Sequence, residues 1–109
     1  MPGMTPSAIA STTSSHLQSN AERSDAVERL LAAAKRGEAQ AYYDLGTAYA
    51  LGEGVDIDLI EAHRWYNLAA MAGLREAQAE RAALAADMNP AEIAEAQRRA
   101  REWLAAIGN

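Results

Sequence analysis

The sequence predicts an all-α protein of about five helices, on three observations. First, two turn signatures, Ala33-Ala34-Lys35-Arg36-Gly37 and Ala69-Ala70-Met71-Ala72-Gly73, line up at an offset of 36 residues. A fixed period in that range marks a helical repeat, in which each unit buries its apolar face only against its neighbours. Second, apolar residues between the turns recur at three- and four-residue steps, the spacing of an amphipathic helix. Third, the breaks carry helix-end chemistry, with glycines closing the apolar runs and Asp58 and Asn89 opening them. The same offset pairs Ala26 with Ala62, Leu30 with Tyr66 and Ala41 with Ala77. Most other aligned positions differ, so the flanking units read as caps that end the stack.

Residues 1–21 are rich in Ser and Thr and poor in large apolar side chains, with Ile9 and Leu17 the exceptions beyond two methionines. Such a segment buries too little surface to offset its ordering entropy, and the expectation is a disordered tail. The other reading is a short helix around Ile9 packed as half a repeat. The folded domain is expected over residues 22–109.

The first helix is expected from Ser24 to Arg36, capped by Ser24 or Asp25 and stopped by Gly37. Lys35 and Arg36 suit the negative end of its dipole. Its stripe is Val27, Leu30, Leu31 and Ala34. The second helix runs from about Glu38 to Leu51 with Ala41, Leu45, Ala48 and Tyr49 on one face. Gly46 in its middle costs up to ~1 kcal/mol of propensity, which makes sense where a neighbouring helix crosses closely. Gly52 ends this helix and Gly54 lets the chain reverse. The Gly52-Glu53-Gly54 turn lacks the lysine and the preceding strand of a phosphate-binding loop.

The third helix opens on Asp58 with Glu61 as a capping-box pair. Ala62, Trp65, Tyr66, Ala69 and Ala70 form a stripe facing the second helix, with Trp65 as anchor. His63 lies off that stripe and reads as a solvated surface residue. The fourth helix, about Arg75 to Asp87, is mostly alanine, with Leu84 and Met88 for packing. The fifth opens on Asn89, Pro90 and Glu92, a complete N-terminal signature. Its stripe is Ile93, Ala96, Ala100, Trp103, Leu104 and Ile107, and Glu95 pairs with Arg99 one turn on. It is expected to be the terminal cap.

Leu45-Gly46, Tyr49, Gly52, Gly54-Val55, Asp58, Ala62, Trp65-Tyr66, Ala69-Ala70 and Gly73 together resemble the Sel-1-like repeat, a relative of the tetratricopeptide repeat. The match spans Ala39–Gly73, about a third of the chain. Residues 25–37 resemble the second half of a preceding unit, and residues 74–108 a following unit that has lost its motif glycines. Arg81 stands where the repeat has Leu45. The resemblance implies a short right-handed α/α superhelix of antiparallel helix pairs, used as an adaptor in protein complexes. The motif residues are mainly structural, so the resemblance implies fold more than function.

Half of the residues are apolar, but alanine supplies half of those, and aromatics make up only 6% of the chain. Helices of this kind approach closely and leave little volume for a pocket. The absence of cysteine removes disulfides, thiol catalysis and thiolate metal sites. No signal peptide or membrane span is legible, and a cytoplasmic protein is expected. The net charge of −5 is uneven: residues 37–73 carry −5, against +1 for residues 1–36 and −1 for residues 74–109. Nucleic acid is a poor partner for that surface, and a basic protein segment is a better one. The same charge also serves solubility.

No nucleophile, metal or acid–base motif stands out, and neither an enzyme nor a cofactor is expected. Asp56, Asp58 and Glu53 could hold a cation only weakly, and helix capping already accounts for Asp58. By the resemblance, the concave face comes from the second and fourth helices. Gln40, Tyr43, Asp44 and Thr47 lie off the core stripe of the second helix. Their counterparts 36 residues on are Glu76, Ala79, Glu80 and Ala83. An aromatic beside carboxylates and small alanines suits a basic or amphipathic peptide. The expected function is therefore a small adaptor that binds a protein or peptide in this groove. The alternative is a self-associating structural module, such as a homodimer formed through the incomplete N-terminal end.

Overall fold

A computed structural model of the chain describes residues 21–108, and all regular structure in that span is helical. Five helices follow one another: α1 (residues 21–35), α2 (Ala39–Leu51), α3 (Leu59–Met71), α4 (Arg75–Ala85) and α5 (Pro90–Ile107). The tail expected over residues 1–21 lies, up to residue 20, outside the described residues. Ala21 is already helical, so neither Ser24 nor Asp25 caps α1. Both instead sit exposed within a helix whose Ala21-Glu22-Arg23 run has good helical propensity.

The turns that frame the 36-residue offset have the same geometry. After α1, the Glu38 N–H donates to the Ala33 carbonyl at 3.3 Å and the Gly37 N–H to that of Ala34 at 2.8 Å. After α3, the Leu74 N–H donates to the Ala69 carbonyl at 3.0 Å and the Gly73 N–H to that of Ala70 at 3.0 Å. Both sets close a Schellman motif, which needs a left-handed residue at its apex. Gly37 and Gly73 supply it with φ of 77° and 104°. The repeat read from the two signatures is therefore also a repeat of backbone conformation at its boundaries.

α3 is the hub: α2, α4 and α5 all pack on it. Its stripe is buried as expected at Ala62, Trp65, Tyr66 and Ala69, and Leu68 joins it. The α2–α3 crossing is close because Gly46 has no side chain. A Cβ there would stand 2.6–2.9 Å from atoms of the Tyr66 ring. Trp65 is 1% exposed and is gripped from two directions. Tyr42 of α2 stacks on it at 5.9 Å between centroids, and Trp103 of α5 meets it edge-on at 4.8 Å. The Trp103 indole N–H donates to the Tyr42 hydroxyl at 3.2 Å, tying α5 back to α2.

Several details differ from the sequence reading. Tyr42, left off the α2 stripe, is part of the core, because α5 returns across that side of α2 and α3. His63 is 3% exposed rather than solvated, in a helix that packs against three others. Leu104 stands on the exposed edge of α5. α4 ends at Ala85, two residues early, since the chain must reverse before Asn89 takes up the extended conformation of an N-cap. Asn89 and Glu92 complete their capping box in both directions, at 2.9 Å each. At α3, Asp58 accepts from the Glu61 N–H at 3.1 Å, but the other half of that box does not form. The Glu61 carboxylate turns instead to Arg64 and to Arg99 Nη1, the latter at 2.9 Å.

Candidate partner-binding face

On α2, Gln40 stands three and four residues before Tyr43 and Asp44, and these stand four and three before Thr47, so the four share one face. Gln40 Nε2 donates to Asp44 Oδ1 at 2.9 Å on the exposed surface. The Thr47 hydroxyl donates to the Tyr43 carbonyl at 3.3 Å and lies 2.9 Å from the Tyr66 hydroxyl. A threonine hydroxyl carries a single proton. With that proton on the Tyr43 carbonyl, the Tyr66 phenol is the donor to Thr47. The Tyr43 ring meets the Tyr66 ring edge-on at 5.4 Å. Tyr66 was legible only as a core residue, yet its hydroxyl organises this face. Nothing in the spacing of Thr47 and Tyr66, 19 residues apart, signals that bond.

From α4, Glu80 comes close enough for its charge to act on Tyr66. Burial raises the pKa of the Tyr66 phenol above its ordinary value, the Thr47 hydrogen bond opposes that rise, and Glu80, Tyr43 and Asp44 add to it. The phenol therefore stays protonated well past neutral pH and works as a hydrogen-bonding group. Four of the six expected residues, Gln40, Tyr43, Asp44 and Thr47, are linked on α2 beside Tyr66, and Glu80 reaches Tyr66 through its charge alone. Glu76 is exposed on the first turn of α4, one turn before Glu80.

Toward α1 the same face of α2 borders an open cleft of about 290 Å³. Its walls are Arg23, Ala26, Val27 and Leu30 from α1, and Asp44, Thr47 and Ala48 from α2, with Glu53 from the turn beyond. Apolar side chains line most of it, and the carboxylates of Asp44 and Glu53 stand at its rim. Gly54 is needed where α1 passes over that turn. Its φ is 78°, and a Cβ would meet the Arg23 carbonyl oxygen at 2.6 Å.

A second polar cluster joins α3 to α5. The Glu61 carboxylate takes Arg64 and Arg99, and Arg99 Nε also holds Glu95 at 2.7 Å. The Arg64 guanidinium lies 4.2 Å over the Trp65 ring and 5.9 Å from that of Trp103. Hydrogen bonds from Arg98 and Arg99 hold the Glu95 carboxyl down at about 2. This cluster fastens helices and encloses no cleft. Burial first, then the charge of the Arg81 guanidinium, lowers the His63 pKa below the ordinary 6.5. Among the described residues no group of three His, Asp or Glu side chains is placed to hold a metal ion. No described helix is long and apolar enough to cross a membrane.

No protein-family model and no curated protein matches this chain.

Proposed function

We propose that this protein is a small non-enzymatic adaptor of the Sel-1-like type, whose helix pairs form a short α/α superhelix. It takes a basic peptide or protein segment on the face formed by Gln40, Tyr43, Asp44, Thr47, Glu76 and Glu80. The observation that carries this reading is the aromatic pair Tyr43–Tyr66, with Asp44 next to it on α2 and the negative charge of Glu80 on α4 acting on the Tyr66 phenol. A lysine or arginine there would meet a negative field and an aromatic face together. The rings stand ordered before binding, which lowers the entropic cost of association.

Affinity capture with the wild-type chain and with a Tyr43→Ala/Asp44→Lys variant of unchanged helicity tests the proposal. The expected result is a partner retained by the wild type, lost by the variant, and released as salt rises from 0.05 to about 0.5 M through screening. Equal recovery by both would move the site elsewhere. The alternative, self-association, draws support from Leu51 and Ile57, each 64% exposed, and Met71, 59% exposed. Light scattering on the chain alone separates the two, since a concentration-dependent dimer unaffected by the variant would favour self-association.

A further inference from the structure

The carboxylates of this molecule fall into two groups. On the α3–α5 side, Glu61, Glu95 and Glu102 each hold an arginine. Asp44 and Glu53, at the cleft between α1 and α2, pair with no Lys or Arg among the described residues, and the Asp44 carboxylate accepts from the Gln40 amide. Arg23, early in α1, lies against Gly54 beyond the end of α2, so the two helices run antiparallel. Leu30 and Asp44, seven residues on either side of Gly37, therefore stand level with each other. Val27 and Ala48, both buried, continue the cleft one turn farther along. At the far end Arg23 and Glu53 carry opposite charges and balance each other. The cleft thus sets an unpaired carboxylate at one end of an apolar groove.

Resting on the reading of the Tyr43 face as the partner surface, we propose that the bound segment is extended and sets a lysine or arginine against Asp44. A leucine or isoleucine two residues away drops into the cleft, against Val27, Leu30 and Ala48. Geometry dictates the spacing. From Asp44 to Ala48 the helix rises about 6 Å. Alternate side chains of an extended chain share one face about 6.6 Å apart, whereas adjacent ones point to opposite faces and cannot serve both sites. The cleft volume of about 290 Å³ is at the low end for ligand pockets, which suits a side chain better than a whole metabolite. Asp44 and Thr47 belong both to the cleft and to the face around Tyr66, so one segment reaches the two together.

The test uses the full chain and three capped peptides of equal charge. These are Ser-Lys-Ser-Leu-Ser-Lys-Ser, the same peptide with Ala for Leu, and the isomer Ser-Lys-Leu-Ser-Ser-Lys-Ser. The first places Leu two residues from a lysine in either chain direction. In methyl NMR it should move Val27, Leu30 and Ala48 and leave Leu104 on α5 unchanged. The Ala peptide and the isomer should bind on the order of tenfold more weakly, as expected for losing a leucine half-buried in an open cleft. Ala26→Leu, which fills the cleft from α1, should level the three affinities, and Tyr43→Ala/Asp44→Lys should abolish all of them. Equal binding of the three peptides by the wild type would overturn the cleft and leave the Tyr43 face standing. No binding of any would overturn both. Binding that leaves Val27 and Leu30 unmoved would also overturn it. Shifts of those methyls that follow protein concentration without peptide would assign the cleft to a second copy and overturn it equally. The wild-type comparison decides the matter even if Ala26→Leu fails to fold.

Discussion

Trp65 shows how much of this fold rests on one side chain. It stacks on Tyr42, meets Trp103 edge-on and lies beneath the Arg64 guanidinium. Three helices therefore lose packing together when it is removed. Trp65→Ala should cost about 3–5 kcal/mol, read as a shift in the urea midpoint, and most of a domain this small would then unfold. His63 makes the opposite case, a buried polar group with a cost. Its Nδ1 is buried without a hydrogen-bond partner among the described residues, and the charge of Arg81 opposes its protonation. The folded pKa is lowered, so below pH 6.5 the unfolded chain takes up a proton that the folded chain resists. Stability is then fully present above 6.5 and falls as pH drops toward the folded value. Val27, at the equivalent position on α1, is apolar and buried. His63→Val should remove that part of the pH dependence below 6.5 in thermal or urea unfolding. A slope unchanged by the substitution would place the titration elsewhere.

At the scale of elements, local signals were most legible where helices begin and end. Gly37, Gly52 and Gly73 close helices as their neighbours imply, and Asn89, Pro90 and Glu92 form the complete start of α5. Asn89→Ala should therefore cost about 1 kcal/mol, with hydrogen exchange rising first in the initial turn of α5. Signals failed where a tertiary partner outbid the local one. Glu61 stands at the right position for a capping box, yet its carboxylate goes to Arg99, 38 residues away, as well as to Arg64. Helical periodicity could not foresee that choice, because it depends on α5 folding back onto α3. Tyr42 and His63 were misplaced for a related reason. A stripe read from one helix describes a single buried face, whereas α2 and α3 are covered on more than one side. For the candidate site, the α2 residues and Glu80 follow from spacing and the offset, but the hydroxyl of Tyr66 does not.

For the whole molecule, the central claim is that α2 and α3 pack as closely as they do because Gly46 leaves room for the Tyr66 ring. The two Schellman turns repeat at the ends of α1 and α3, and the Gly46–Tyr66 crossing sets how closely α2 and α3 pack between them. The crossing also positions Thr47 and Tyr43 beside Tyr66, so the candidate face depends on the same close approach. The most direct test is urea unfolding of Gly46→Ala, Tyr66→Leu and the double variant. Helix propensity alone says that Gly46→Ala should stabilise by up to about 1 kcal/mol. The crossing predicts the opposite sign, a loss of about 1–3 kcal/mol from overpacking against the Tyr66 ring. That loss should shrink in the Tyr66→Leu background, where the ring that a residue-46 Cβ would meet is gone. Stabilisation by Gly46→Ala, with no coupling to residue 66, would contradict the close crossing of α2 and α3.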